Sequence, residues 1–231
     1  MQDKNEHYNS VLKLCEKDFS HEELIMFLKS GNLIERQHAA LNIECVQSNS
    51  EANILMSNLV GIDGKIREAA ALKISELTLQ TPEYFFDQQN YEIFSNATID
   101  IDGNVCRMAI NSASNLIRNE SFSRYYAQKM IDIINEALDE ISKFTFRDKK
   151  YKINKQIFKI YWSLEALITF YAYADIKNLK EILTKCCNLP EYTVREKCAR
   201  ILCTVAIDSE LAVLTDKLKK DDNYYVRNIF K

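Results

Sequence analysis

Apolar residues recur every three to four positions along most of this chain. In LIERQHAALNI (33–43) and IREAAALKI (66–74), aliphatic residues and paired alanines alternate with charged or amide side chains. That period puts one apolar stripe on an α-helix. It predicts helices over 4–17, 20–29, 33–47, 51–60, 64–79, 90–98, 104–118, 122–142, 150–173, 177–187, 191–206, 209–219 and 223–230. Thr81-Pro82 offers an N-cap followed by proline at the first helical position, which opens a short helix near 82–87. Gly61, Gly64 and Gly103 fall in turns between helices.

The same pattern repeats on a longer scale. RQHAALNI (36–43) and REAAALKI (67–74) align Arg36 with Arg67, the alanine pairs, Leu41 with Leu72, and Ile43 with Ile74. Looser copies run through Cys106, Asn154, Arg195 and Arg227, at successive spacings of 31, 39, 48, 41 and 32 residues. Each period suits one helix–turn–helix unit. The small pair lets a neighbouring helix approach closely, and the aliphatic one turn on extends the buried stripe. Asn32, Asp63, Glu191 and Asn223 stand four residues before four of the arginines. An oxygen there can cap the helix or meet the guanidinium at i+4. Arg36, Arg67, Arg195 and Arg227, with Asp63, therefore read as clamps on their own turn or the next repeat's turn. Between 82 and 180 the register is irregular, with Cys106 and Asn154 in the arginine place.

An acidic or amide turn residue, a β-branched residue plus arginine, small residues and then an aliphatic is a pattern that resembles the HEAT and armadillo α-solenoids. Ile66-Arg67, Val194-Arg195 and Val226-Arg227 carry it best. The resemblance implies an all-α fold, an α–α superhelix (a right-handed solenoid) of five to six HEAT-like repeats. It covers 1–231 as a single repeat domain and implies an extended binding face lined by the second helix of each repeat.

Composition agrees with helices. Four glycines and two prolines in 231 residues are too few for a turn-rich β architecture. No basic n-region or apolar h-region opens the chain, and the apolar-looking run LEALITFYAYA (164–174) is too short to span a bilayer. A soluble cytoplasmic protein without membrane contact is expected. The seven cysteines include no CxxC pair, so they read as reduced thiols used as small core residues, with no metal site. Residues 1–115 hold 9 Lys/Arg against 17 Asp/Glu, whereas 116–231 hold 21 against 16. Such asymmetry suggests an oriented partner, or self-contact between unlike halves.

Candidate chemistry concentrates in KFTFRDKKYKINKQIFKIYW (143–162). Lys152, Lys155 and Lys159 share one helical stripe, Lys149 precedes it, and Phe158 and Trp162 fall on its flank. A cationic stripe edged by aromatics suits an acidic peptide with apolar anchors, or phosphates with stacked bases. Alternatively, the rings pack against the next repeat and the lysines are merely solvated. No phosphate loop, GxSxG elbow or HExxH occurs, and the histidines (7, 21, 38) lie together near the start. No catalytic residue or cofactor is therefore assigned. The expected function is a non-catalytic scaffold for a protein partner. The alternative is a nucleic-acid binder related to the HEAT-like DNA-alkylation-repair glycosylases, which place Trp, Asp and Arg in a basic groove. Here Trp162 is followed by Glu165 and the sequence pI is about 5.8. The HEAT-built deoxyhypusine hydroxylases use several His-Glu dipeptides, and this chain has one, His21-Glu22. Phycobilin lyases share the short repeat length but no other feature.

Overall fold

Side-chain oxygens start the second helix of several repeats. Asn32 accepts from the backbone N–H of Ile34 and Glu35, Asp63 from Lys65 and Ile66, Asp102 from Asn104, and Asn223 from Tyr225. Each cap stabilises its helix by about 1 kcal/mol. Glu191 stands at the same place but makes no such bond.

The computed structural model describes residues 12, 14, 16–144, 150–206 and 208–231. The described helices are α1 (His21–Ser30), α2 (Leu33–Asn42), α3 (Asn49–Ser57), α4 (Gly64–Gln80), α5 (Gln88–Thr98), α6 (Gly103–Asn115), α7 (Glu120–Ser142), α8 (Lys150–Phe170), α9 (Ile176–Cys186), α10 (Tyr192–Leu202), α11 (Ser209–Lys219) and α12 (Tyr224–Arg227). Single 3-10 turns occupy Pro82–Phe85, Tyr171–Tyr173 and Asn228–Phe230. Among the described residues there is no strand. The helix expected over 4–17 falls largely outside them.

These helices pair as six helix–turn–helix units. The chain divides into two compact units, Met1–Leu116 and Ile117–Lys231, each holding three pairs. In the first, the second helices α2, α4 and α6 stack in order; in the second, α8, α10 and α12 do so.

Small residues line those contacts. Ala39, Ala40, Ala70 and Cys198 are wholly buried, and Ala71 and Ala109 nearly so. Close helix approach depends on them. Ala70→Leu should therefore cost about 1–3 kcal/mol through overpacking; urea unfolding would measure it, and a neutral result would mean that α2, α4 and α6 are not in tight register. In the second unit, the longer α7 and α8 are held instead by rings. Tyr126 packs 4.9 Å from Phe170 and 5.4 Å from Phe122, centroid to centroid.

Several helix boundaries differ from the sequence expectation. α2 stops at Asn42 rather than 47, because Ile43 turns extended and it and Val46 plug the core, while Ser48 caps α3. The expected helix at 82–87 is a 3-10 turn, and the Thr81 hydroxyl donates back to the Leu77 carbonyl instead of capping it. The burial sequence Ile160, Ser163, Leu164, Leu167 on α8 repeats that of Val194, Lys197, Cys198, Ile201 on α10. Tyr161, not Asn154, therefore stands where α10 has Arg195. The bulky residues of 153–159 belong to two extra turns at the start of α8.

Candidate binding site

The arginines occupy the turns. Arg67 Nε donates to Asp100 Oδ2 at 2.8 Å and Nη2 to Asp100 Oδ1 at 3.2 Å, while Nη1 reaches the carbonyls of Gly61 (2.7 Å) and Ile62 (3.1 Å). Arg195 repeats this on Asp221 (2.7 and 3.0 Å) and on the carbonyls of Leu189 and Pro190. Arg227 donates to the carbonyls of Asp221 and Asp222. Arg36 Nε donates to Asn58 Oδ1 at 2.9 Å, a neutral partner. Cys106, in the arginine place of the third pair, donates its thiol to the Asp100 carbonyl. Arg67, Arg195 and Arg227 thus bind carbonyls of their own turn, and Arg36, Arg67 and Arg195 reach the next one. Asp63 caps α4 and takes no arginine in these bonds. The carboxylates that grip a guanidinium with both oxygens, Asp100 and Asp221, each sit two residues before a cap and accept the backbone N–H of that cap. Asp222 Oδ1 adds a contact to Arg195 at 3.1 Å. The acceptor thus lies in the following repeat rather than four residues before the arginine, and its sequence signal is Asp-x-Asp (100–102) or Asp-x-Asn (221–223).

Charge follows geometry at Asp221. The bond from Arg195 holds its carboxyl at about 2, against the opposing effect of burial.

On α8, Lys152 and Lys155 are exposed and Lys159 half-buried, while Lys149 lies outside the described residues. Lys152 sits 5.6 Å from the Phe144 ring. Glu140, at the end of α7, has its carboxyl lowered first by a hydrogen bond from Lys143 and then, more weakly, by Lys159 and Lys152. Part of the lysine stripe therefore faces an acid of its own unit. The aromatics take a different direction. Tyr151, Phe158, Trp162 and Thr169 recur at about 100° per residue on one stripe of α8, exposed at Tyr151 and Thr169. Phe158 and Trp162 are half-buried and meet edge-on at 6.1 Å; Tyr161 meets Trp162 at 5.2 Å. Gln156 Oε1, Trp162 Nε1 and Ser163 Oγ are all buried without a hydrogen-bond partner.

Beside this cluster, the buried Lys197 of α10 reaches Glu165 Oε2 on α8 at 2.8 Å and lies 4.8 Å from the Tyr161 ring. Burial pushes its ammonium down, but Glu165, Glu196 and Tyr161 outweigh that and leave it above its ordinary value. Lys197 is a further site residue that repeat alignment alone could not mark.

His21 Nε2 lies 3.0 Å from Glu51 Oε2, and His38 packs edge-on against Phe19 with its pKa lowered by burial. Cys45, Cys106, Cys186, Cys187, Cys198 and Cys203 are free thiols. Burial, then bonds with Cys186 and Cys187, raises the Cys198 thiol well above its usual value, so it is inert rather than reactive. Among the described residues no group of His, Cys, Asp and Glu is arranged to hold a metal ion, and no helix is long and apolar enough to cross a membrane.

Paired helices with arginine-clamped turns are a HEAT/armadillo-like helical-repeat fold, and solved structures agree. A designed armadillo repeat protein in complex with the peptide (KR)4 matches at a TM-score of 0.51 and 11% identity, over 91% of this chain and 96% of that one. An engineered protein matches at 0.50 and 15%, over 92% and 96%. An archaeal HEAT-like repeats protein from Thermococcus onnurineus NA1 matches at 0.49 and 13%, over 92% and 78%. No family model and no curated protein matches the chain.

Proposed function

We propose that the chain is a non-catalytic scaffold that presents a helical-repeat surface to a protein partner in the cytoplasm. The carrying observation is the aromatic stripe of α8, where Phe158 and Trp162 are half-buried and the indole N–H is buried without a partner. A buried donor without an acceptor costs about 1–3 kcal/mol, which a carbonyl or carboxylate from a partner relieves once the ring tips outward. Large rings on a fixed frame are the residues that dominate protein interfaces. Lys152, Lys155 and Lys159 then serve as a cationic rim that steers an acidic partner and favours it over a neutral one. The reading takes 1–231 as one repeat domain, since a connection of four residues joins α6 to α7.

Trp162→Ala tests it. Full-length wild type and variant are immobilised and their retained proteins quantified. At least one protein held by wild type should fall about tenfold or more in the variant. An unchanged set of partners moves the site elsewhere. The nucleic-acid reading draws on the same lysines, but Lys152 and Lys159 already share the field of Glu140. If it holds, DNA is retarded at low salt and the affinity falls steeply with ionic strength. No retardation removes it.

A further inference from the structure

Two isoleucines in the first unit stand in water at equivalent places. Ile62 precedes the cap of α4 and is fully exposed; Ile101 precedes the cap of α6 and is 84% exposed. An apolar residue there usually packs on the fourth helical position. In these two helices that position is Arg67 or Cys106, each turned inward to hold the turn, so the isoleucine has nothing to pack against.

Neither turn is loose. One guanidinium, that of Arg67, binds the carbonyls of Gly61 and Ile62 and both oxygens of Asp100. Asp100 in turn accepts from the Asp102 N–H at 2.8 Å and, at its carbonyl, from the Cys106 thiol at 3.1 Å. Gly61, at φ +147°, allows the bend. Both isoleucines are therefore held in fixed relation, which removes the ordering cost that weakens flexible contacts.

Val60 (42% exposed) shares the turn of Ile62, and Leu33 (58% exposed), at the start of α2, carries the apolar ridge onto the first repeat. Leu33, Val60 and Ile62 border a cavity of about 480 Å³. Its wall also holds Asp63 and the guanidinium-bearing Arg36 and Arg67, bonded to Asn58 and Asp100, so only its apolar rim is offered to a cationic segment. Leu33 also borders a neighbouring cavity of about 430 Å³ that holds Asp63, Glu68 and Asp102 against the single cation Lys65. The equivalent places in the fifth and sixth pairs are Pro190 and Asp222, so the ridge is a property of the first unit.

We propose that this ridge docks a basic, apolar segment of a protein partner. An aliphatic or aromatic side chain seats between Leu33, Val60 and Ile62, and a lysine or arginine lies beside Asp63, Glu68 and Asp102. The sign of the partner follows from the charge: residues 1–115 carry 17 acids against 9 bases, which attracts a cationic segment and repels an anionic lipid surface. The proposal rests on the scaffold reading and adds a contact zone along the turns, separate from the α8 stripe.

The probe is a fluorescein-labelled peptide of alternating leucine and lysine, compared with leucine–glutamate and leucine–serine versions, titrated with the full chain by fluorescence anisotropy. The leucine–lysine peptide should bind, and more weakly as salt rises. Ile62→Ser with Ile101→Ser should weaken it about tenfold or more with the melting profile unchanged, since neither side chain is packed. Glu68→Gln should weaken it less and flatten the salt dependence. The proposal is overturned if that peptide does not bind, if the double variant binds it equally, or if the glutamate peptide binds as well. Binding lost in Leu72→Ser, on the exposed face of α4, but kept in the isoleucine variant would sink the ridge and leave the scaffold reading standing. Self-association of wild type that the double variant abolishes assigns the ridge to a second copy and overturns the peptide occupant.

Discussion

Replacing Arg67 by alanine is expected to lower the unfolding free energy by about 3–5 kcal/mol, the cost of breaking a buried ion pair from one side. The Arg67 and Asp100 side chains are only 10% and 12% exposed. Without the guanidinium, the Asp100 carboxylate loses its paired cation in a poorly solvated turn, and the carbonyls of Gly61 and Ile62 lose their donor. Two repeats then loosen together, because the same group joined them. Urea unfolding of Arg67→Ala reads the loss directly. The companion variant Arg67→Met with Asp100→Leu should recover much of it, since replacing both partners leaves no stranded charge. A loss below about 1 kcal/mol, the range of surface pairs, would show that the clamp is solvated and contributes little.

Arg195→Ala should cost about 3 kcal/mol at neutral pH, near the lower end of the same range, because one of its acceptors, Asp222, is largely exposed. The cost should also depend on acidity. In the folded chain Asp221 titrates at about 2, below the ordinary carboxylate value. A depressed folded pKa adds stability that is complete above about pH 4 and lost as pH falls towards about 2. The gap between wild type and Arg195→Ala should thus be widest near neutrality and narrow on acidification through that window. A gap that stays constant from neutral pH down to about 2 would mean that Asp221 is not held by Arg195.

Much of the fold could be read from residue spacing, for local reasons. Asn32, Asp63 and Asn223 cap helices because a short side chain with an oxygen reaches an amide two or three residues on, whatever the rest of the chain does. The alanine pairs at 39–40 and 70–71 are buried because only small residues fit where two second helices meet. Boundaries failed where packing overrode propensity. Ile43 and Val46 fit a helix pattern but leave it to fill the core. In the fourth pair the extra turns of α8 displaced the register by seven residues, from Asn154 to Tyr161, because bulky side chains imitate the buried stripe without marking the turn.

The amino-acid order thus determined on its own that the chain would form paired helices, where the turns lie, and which arginines punctuate them, since caps and 3.6-residue stripes act over one or two turns. Tertiary structure alone decided the long-range pairings. The partners of Arg67 and Arg195 lie 33 and 26 residues away, and Lys197 meets Glu165 across two helices. It also decided that Ile62 and Ile101 stand in water, because the clamp that fixes their turns takes the side chains they would otherwise have covered.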